Sequence, residues 1–231
     1  MAYRFDLQSL GSDVTLGAEA THTWGRVVSE RSGGDDEVDE LGAYIHTTTP
    51  LAPDLSLTLA ARADYSSVTD DVHLSPRAAF VYTPSAHHSI RASYNRSVSA
   101  PVGALLVGTQ VATGLPPELQ TITQTLEVGY KGTLTDRLWV DLDGYYEEKN
   151  NVIATQQVDP IAYRGVGPIE YWGVDASVEV HPTPSLATFA NVSYVSEEDF
   201  TDPDPEVALN APSFKIRGGV DYGLPAGFSV G

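Results

Sequence analysis

Two aspartates, Asp141 and Asp143, stand two residues apart. Side chains of an extended strand alternate between its faces, so both carboxylates would project from one face, close enough for paired acid–base work. Glycosidases hold such a pair at about 5–9.5 Å on either side of a sugar. A plainer reading comes from Leu138, Val140 and Leu142, which would occupy the opposite face. The stretch then reads as a wall with an oily side and a wet side. Other constellations yield less. The acidic runs 35–40 and 202–206 invite a calcium reading. They lack the spaced glycine and terminal bidentate glutamate of a calcium loop, and Pro203 and Pro205 stiffen the second, so both read as solvated loops. His87-His88 and the scattered His22, His46, His73 and His181 show no helical ligand spacing. The glycines from Gly103 to Gly114 end in no Gly-Lys-Ser/Thr, and no nucleophile elbow exists. No enzyme activity, metal ligand or cofactor is expected.

The elements that would carry these residues are strands. In 55–66 every odd position is apolar or aromatic, while the even positions include Ser, Thr, Arg and Asp. The same alternation recurs at 2–9, 13–24, 40–49, 54–66, 72–83, 87–97, 121–133, 136–147, 169–181, 185–195 and 213–223, with a stub from 227. Short connections (at 10–12, 51–53, 84–86, 134–135, 182–184 and 224–226) alternate with long ones at 25–39, 67–71, 98–120, 148–168 and 196–212. This rhythm is that of an all-β, antiparallel, up-and-down transmembrane barrel, with tight turns at one rim and loops at the other. The strands predict a partial barrel of about 11–12 strands of a larger one.

Face assignment follows from parity. Leu138, Val140, Leu142, Val174, Ala176, Val178, Val180, Phe214, Ile216, Val220 and Tyr222 would face lipid. Arg4, Asp6, Glu19, Arg62, Asp64, Arg77, Arg91, Glu127, Lys131, Asp141, Asp143, Asp175, Ser177, Glu179, Lys215, Arg217 and Asp221 would face the lumen. Aromatics crowd both strand ends: Trp24, Tyr65, Tyr94, Tyr145, Tyr146, Tyr171, Trp172 and Tyr194 near the long loops, and Tyr82, Tyr130, Trp139 and Tyr222 near the short turns. Two such belts are expected where rings meet lipid headgroups.

Composition is compatible. The 231 residues carry a net charge of −18, are 42% hydrophobic and include no cysteine. No apolar run approaches the roughly 18 residues of a membrane helix, so any crossing must use strands. Missing cysteine suits export through an oxidising periplasm. The acidic balance argues against nucleic acid as a partner. It fits a high-salt habitat or an ordinary anionic outer surface equally. The N-terminus, Met-Ala-Tyr-Arg-Phe-Asp, has no apolar signal region, so the chain is expected to be part of something longer.

Several stretches are similar to the barrel of TonB-dependent outer-membrane receptors, particularly the Bacteroidetes-like branch. They are Glu40-Leu41-Gly42-Ala43-Tyr44, Arg62-Ala63-Asp64, Ser75-Pro76-Arg77-Ala78-Ala79, Arg91 to Arg96 with Pro101, Leu126 to Gly132, Gly173-Val174-Asp175 and Asn210-Ala211-Pro212. The resemblance covers residues 1–231 and is strongest at 40–150. It implies a place in the bacterial outer membrane, in contact with its lipid, and a barrel of about 22 strands closed by a plug. It also implies a TonB-type energy-coupling partner and uptake of a scarce nutrient of the siderophore, cobalamin or glycan class. Against that pattern, residues 1–231 are expected to form one partial barrel domain with no plug domain. Arg62, Asp64, Arg77, Arg91, Glu127, Lys131, Asp141, Asp143, Asp175 and Arg217 are the residues expected to line the lumen and face the plug. Leu105, Gln110, Gln156 and Tyr163, in long loops, are the candidates for contact with a small-molecule or oligosaccharide ligand. Two alternatives remain open: a passive porin or surface-binding barrel without a plug, and a soluble acidic β-sandwich whose greasy faces pack on a second sheet.

Overall fold

Alternating residues pair with alternating residues across every strand boundary, and this arranges the whole molecule. The computed structural model describes residues 2–7, 11–28, 33–67, 69–99, 120–156, 162–196, 199–200, 212–224 and 229–230. Among these are fifteen strands: β1 (Ala2–Leu7), β2 (Ser12–Val28), β3 (Gly33–Ala52), β4 (Leu55–Ser66), β5 (Asp71–Ser85), β6 (His88–Ser99), β7 (Thr121–Thr135), β8 (Leu138–Asn150), β9 (Val152–Gln156), β10 (Ala162–Val166), β11 (Ile169–Thr183), β12 (Leu186–Val195), β13 (Asp199–Phe200), β14 (Phe214–Gly223) and β15 (Ser229–Val230). No helix occurs among the described residues, so none is long and apolar enough to cross a membrane.

All but β9 and β10 belong to one 13-stranded sheet, whose path runs β1 to β8, then β11, β12, β14 and β15, with β13 attached to β11. Each pairing is antiparallel. The path joins neighbours in the sheet to neighbours or near-neighbours in sequence, which is the up-and-down meander of a barrel wall. It is open, because β1 and β15 stand at opposite ends of the path and do not pair with each other. The predicted fold class therefore holds as a partial, unclosed barrel.

Register fixes the faces. Leu16, Ile45, Ala61 and Pro76 lie in one row; Leu57 and Phe80 lie in another, opposite Ala92 and Val128. Leu142 follows Tyr130, opposite Ala176, Val192 and Ile216. Every lipid-facing residue predicted on β8, β11 and β14 falls on this same side. The only buried apolar residues among those described are Val38, Ile169 and Tyr171. Exposed instead are Leu41, Leu59, Leu74, Phe80, Val128, Leu142, Val174, Ile216 and Val220, all on the one face. No second sheet covers it; the two-stranded β9–β10 sheet is the only other one among the described residues. A soluble protein would hide such a surface, so the sandwich alternative fails and the hydrocarbon of a bilayer is the medium that fits.

The structure corrects several boundaries. The expected loop 25–39 is largely strand, since β2 runs to Val28 and β3 begins at Gly33. The acidic run 35–40 thus lies on β3 rather than in a solvated loop. Above the bilayer a strand needs no oily face, so alternation stops while the hydrogen-bond ladder continues to Val28↔Gly33. The expected loop 148–168 contains the β9–β10 hairpin for the same reason. At the 67–71 connection, β4 ends at Ser66 and β5 begins at Asp71, with Asp70 at φ 51°. The short turns lie one or two residues beyond their expected places, at 53–54, 86–87, 136–137 and 184–185. The Gly103–Gly114 stretch and the 202–206 acidic run lie outside the described residues.

The aromatic belts also need correction. Tyr65, Tyr94, Tyr146, Trp172 and Tyr194 share the oily face, as do Tyr82, Tyr130 and Tyr222 at the short-turn end. Trp24 shares that face too, but it stands opposite Glu37, four residues beyond the Leu41–Tyr65 row and so above the belt. Tyr145, Tyr171 and Trp139 do not share the oily face. Their register partners are Glu127 and Gly173, Glu147, and Thr133 and Glu179, all on the inner face. Adjacent residues of a strand cannot both meet lipid, so Tyr145 turns inward where Tyr146 turns out.

Candidate functional site

The inner face is a wall of charged and aromatic side chains. Its first group is built on Arg62 of β4. The Arg62 Nε donates to both carboxylate oxygens of Asp64, at 2.8 and 2.9 Å, and its Nη2 donates to Glu19 on β2. A second group joins three strands. Arg91 Nη2 on β6 donates to Glu127 Oε1 on β7 at 2.7 Å and to Asp143 Oδ1 on β8 at 2.8 Å. The reach across β7 is open because residue 129 is glycine; a Cβ there would overlap Asp143 Oδ1 and crowd Arg91 Nε. A third pair, Lys131 and Asp141, approaches to 3.6 Å. Asp141 and Asp143 are therefore bound to two different cations, and together they act as wall rather than as an acid–base couple.

The remaining predicted lumen residues fall on the same face. Asp175 stands between Asp143 and Ser193. The Arg217 guanidinium lies over the Phe189 ring, 5.7 Å from its centroid. Arg77 stands between Ala60 and Asn95, with no ion pair among the described residues. Of the loop candidates, Gln156 ends β9 and Tyr163 lies on β10 opposite Thr155, while Leu105 and Gln110 lie outside the described residues.

A fourth group was not singled out in the sequence. Glu147 on β8 accepts from the Tyr171 hydroxyl of β11, from Thr125 Oγ1 at 3.2 Å and from Lys149 Nζ at 2.9 Å. Lys149 also lies 5.4 Å from the Tyr171 ring centroid. The group sits just above the outer belt of Tyr146 and Trp172, beyond which Glu148 and Glu170 turn outward. Burial pushes Tyr171 up, with its bond to Glu147 adding to this, to a pKa of about 12. Burial alone would raise Glu147, but the hydrogen bonds from Tyr171 and Lys149 outweigh it and hold the carboxyl below its usual range. The signal was present: Asp141, Asp143, Tyr145, Glu147 and Lys149 continue one parity.

Near the short turns, Trp139 packs edge-on to His181 at 4.7 Å between centroids, and His181 Nε2 lies 2.6 Å from Glu179 Oε1. His88 and Tyr130 stack and hydrogen-bond at 2.8 Å on the other face. At the opposite rim His22 Nδ1 meets Asp39 Oδ1 at 2.7 Å, beyond the line of Leu41 and Tyr65 and outside the span. The hydrogen bond to Asp39 raises the His22 pKa above its usual value, against an opposing effect of desolvation. His22, His88 and His181 thus serve as local partners, and no group of three or more metal-ligating side chains occurs among the described residues.

Comparison with known proteins agrees with this geometry. The family model for the TonB dependent receptor-like beta-barrel matches residues 2–231. No curated protein matches in sequence. Among solved structures, the siderophore receptor PirA from Pseudomonas aeruginosa superposes with a TM-score of 0.77 at 16% identity, covering 96% of this chain and 41% of that one. The FrpB iron transporter from Neisseria meningitidis gives 0.76 at 15% identity, over 97% of this chain and 39% of that one. The copper transporter OprC gives 0.73 at 14% identity, over 91% and 38%. The chain thus spans about two-fifths of the length of the structures it matches.

Proposed function

Since the chain belongs to the TonB-dependent receptor β-barrel family, a family of outer-membrane proteins of Gram-negative bacteria, we propose that it forms part of the wall of a receptor that takes up a scarce nutrient through a plugged barrel. Such receptors are transporters, not enzymes. The observation that carries the reading is the family match over residues 2–231, joined to a continuous oily outer face and a charged inner one. The siderophore, iron and copper named for the matched structures make a chelated metal the first cargo to test, ahead of cobalamin or glycans.

In this reading residues 1–231 make one part of the barrel. A plug domain from the complete receptor fills the lumen, and a TonB-type protein supplies energy. The inner wall has the chemistry for that arrangement. Arg62, Arg91 and Lys131 are braced by carboxylates of the wall itself, giving a stiff, hydrogen-bonded surface against which a polar domain can seat. Ligand contact belongs to the long loops in this reading, and we assign it to Gln156 and Tyr163 of the β9–β10 hairpin together with Leu105 and Gln110.

The test is uptake of labelled ferric siderophores, cobalamin and oligosaccharides by cells that carry or lack the complete gene, with and without the energy-coupling protein. Loss of one cargo in both mutants supports the reading. Uptake that persists without energy coupling, together with a steadily open pore in planar bilayers, would favour a passive porin or surface-binding barrel.

A further inference from the structure

Of the cations whose side chains are described, Arg62, Arg91, Lys131 and Lys149 are each neutralised by carboxylates of the wall. Arg96 and Arg137 donate to backbone carbonyls, and Arg217 lies over Phe189. Arg77 and Lys215 make no hydrogen bond, ion pair or ring contact among the described residues, in a chain with 31 acidic and 13 basic residues. Of these two, Arg77 carries the planar guanidinium, and it lines a cavity. Its place in the register explains why it stays unpaired. The row His46–Ala60–Arg77–Asn95 supplies hydrogen-bonding groups at both flanks but no carboxylate. Next to it, the row Tyr44–Arg62–Ser75 puts another cation closest, already committed to Glu19 and Asp64. Small residues, Ala60 and Ser75, floor the space between, and a cavity of about 470 Å³ opens there.

We propose that Arg77, flanked by His46 and Asn95, is a carboxylate seat on the inner wall. The planar guanidinium fork matches a carboxylate in two parallel hydrogen bonds, and the flanking imidazole and amide can donate to the oxygens the fork leaves free. Desolvation makes the need concrete. Once the lumen is filled, a cation without a counter-charge loses its water and gains nothing in return, so whatever covers Arg77 must bring an anion. Ala78, next along β5, pairs with Tyr94 of the outer belt, which places the seat at the outer part of the span. Two sources share the chemistry: an acidic side chain of the polypeptide that fills the lumen, or a carboxylate of the cargo. This inference rests on the plugged-receptor reading above. It departs from an even spread of plug contacts along the wall, because Arg62 and Arg91 are internal braces and Arg77 is an open socket.

The test uses the complete receptor in native outer membranes, with the Arg77→Lys variant. Water-soluble carbodiimide joins an ammonium to a carboxylate in contact with it, and mass spectrometry identifies the joined peptides. The Lys131–Asp141 pair in the same sample is the positive reference. Coupling at position 77 to an acidic residue outside 1–231, to within about two-fold of the reference yield, supports the seat and assigns it to the receptor's own polypeptide. Coupling only to added citrate assigns it to cargo. Coupling to a wall carboxylate such as Asp64, or no coupling with or without citrate while the reference forms, overturns the proposal. Pore conductance, measured separately, reports the plugged reading: an open pore sinks that reading, and citrate coupling then still decides the seat.

Discussion

Arg91 and Asp143 meet at 2.8 Å although their strands, β6 and β8, are not neighbours. The strand between them contributes Gly129 at the crossing point, and the two side chains lie over its Cα. The same device recurs at Gly173, where the Tyr145 ring fills the place of a Cβ. An inner wall built this way is stitched sideways by side chains as well as by backbone ladders. Gly129→Val should part Arg91 from Asp143 and force one of them off its rotamer. The pair is partly exposed, so its direct loss is about 1 kcal/mol or less, with steric displacement added. Urea unfolding in detergent, compared with Arg91→Met, separates the two contributions: Gly129→Val should be the more damaging.

Charge tolerance should follow parity. Val178 lies between Val140 and Ala190 on the oily face, while its neighbour Ser177 lies between Asp141 and Asn191 on the inner one. Val178→Arg should cost about 2–4 kcal/mol of folding free energy in a bilayer, and Ser177→Arg far less. Refolding titrations into lipid vesicles measure both. Equal costs would mean that the two faces see the same medium.

The Tyr171–Glu147 bond gives a spectroscopic prediction. With the hydroxyl present, Glu147 titrates below the ordinary carboxyl range even though burial opposes this. Tyr171→Phe removes one of the donors, so burial gains weight and the carboxyl should titrate at higher pH. Infrared carboxylate bands followed against pH, with Glu147→Gln to assign the signal, read this directly. Because the folded-state pKa is depressed, the contribution of Glu147 to stability is present above the unfolded carboxyl value and lost as pH falls through the folded one.

His22 responds in the opposite direction. Its folded pKa is raised by Asp39, so its contribution is complete below the unfolded histidine value near 6.5 and disappears as pH rises through the higher, folded value. The β2–β3 extension beyond the bilayer should therefore exchange its amides faster above that pH. Asp39→Asn should remove most of the dependence, leaving the weaker pull of Glu37. Hydrogen exchange of residues 20–24 and 37–41 at several pH values checks it.

Sequence legibility divided along the bilayer boundary. Between Leu55 and Ser66, or Leu138 and Tyr146, lipid on one side and polar groups on the other impose a two-residue period, and the faces and strand order can be read from it. Beyond the belts the medium is water on both sides and the period vanishes, so the upper parts of β2 and β3 and the β9–β10 hairpin read as loops in the sequence. Crowding near strand ends alone puts Tyr145, Tyr171 and Trp139 in the belts, whereas parity turns them inward. Which cations find partners was hidden too: Arg91 reaches Asp143 across 52 positions in sequence, and only the register brings them together.

The central claim is that one face of this sheet meets hydrocarbon and the other a polar lumen. Spin labels placed singly at successive positions 138–146 of β8 in the bilayer-reconstituted receptor test it most directly. Oxygen should relax labels at Leu138, Val140 and Leu142, and a water-soluble nickel complex or the plug should govern those at 139, 141 and 143, in a period of two. Labels at the even positions shielded from oxygen and nickel alike would mean a dry protein interior behind that face, and the membrane wall would be contradicted.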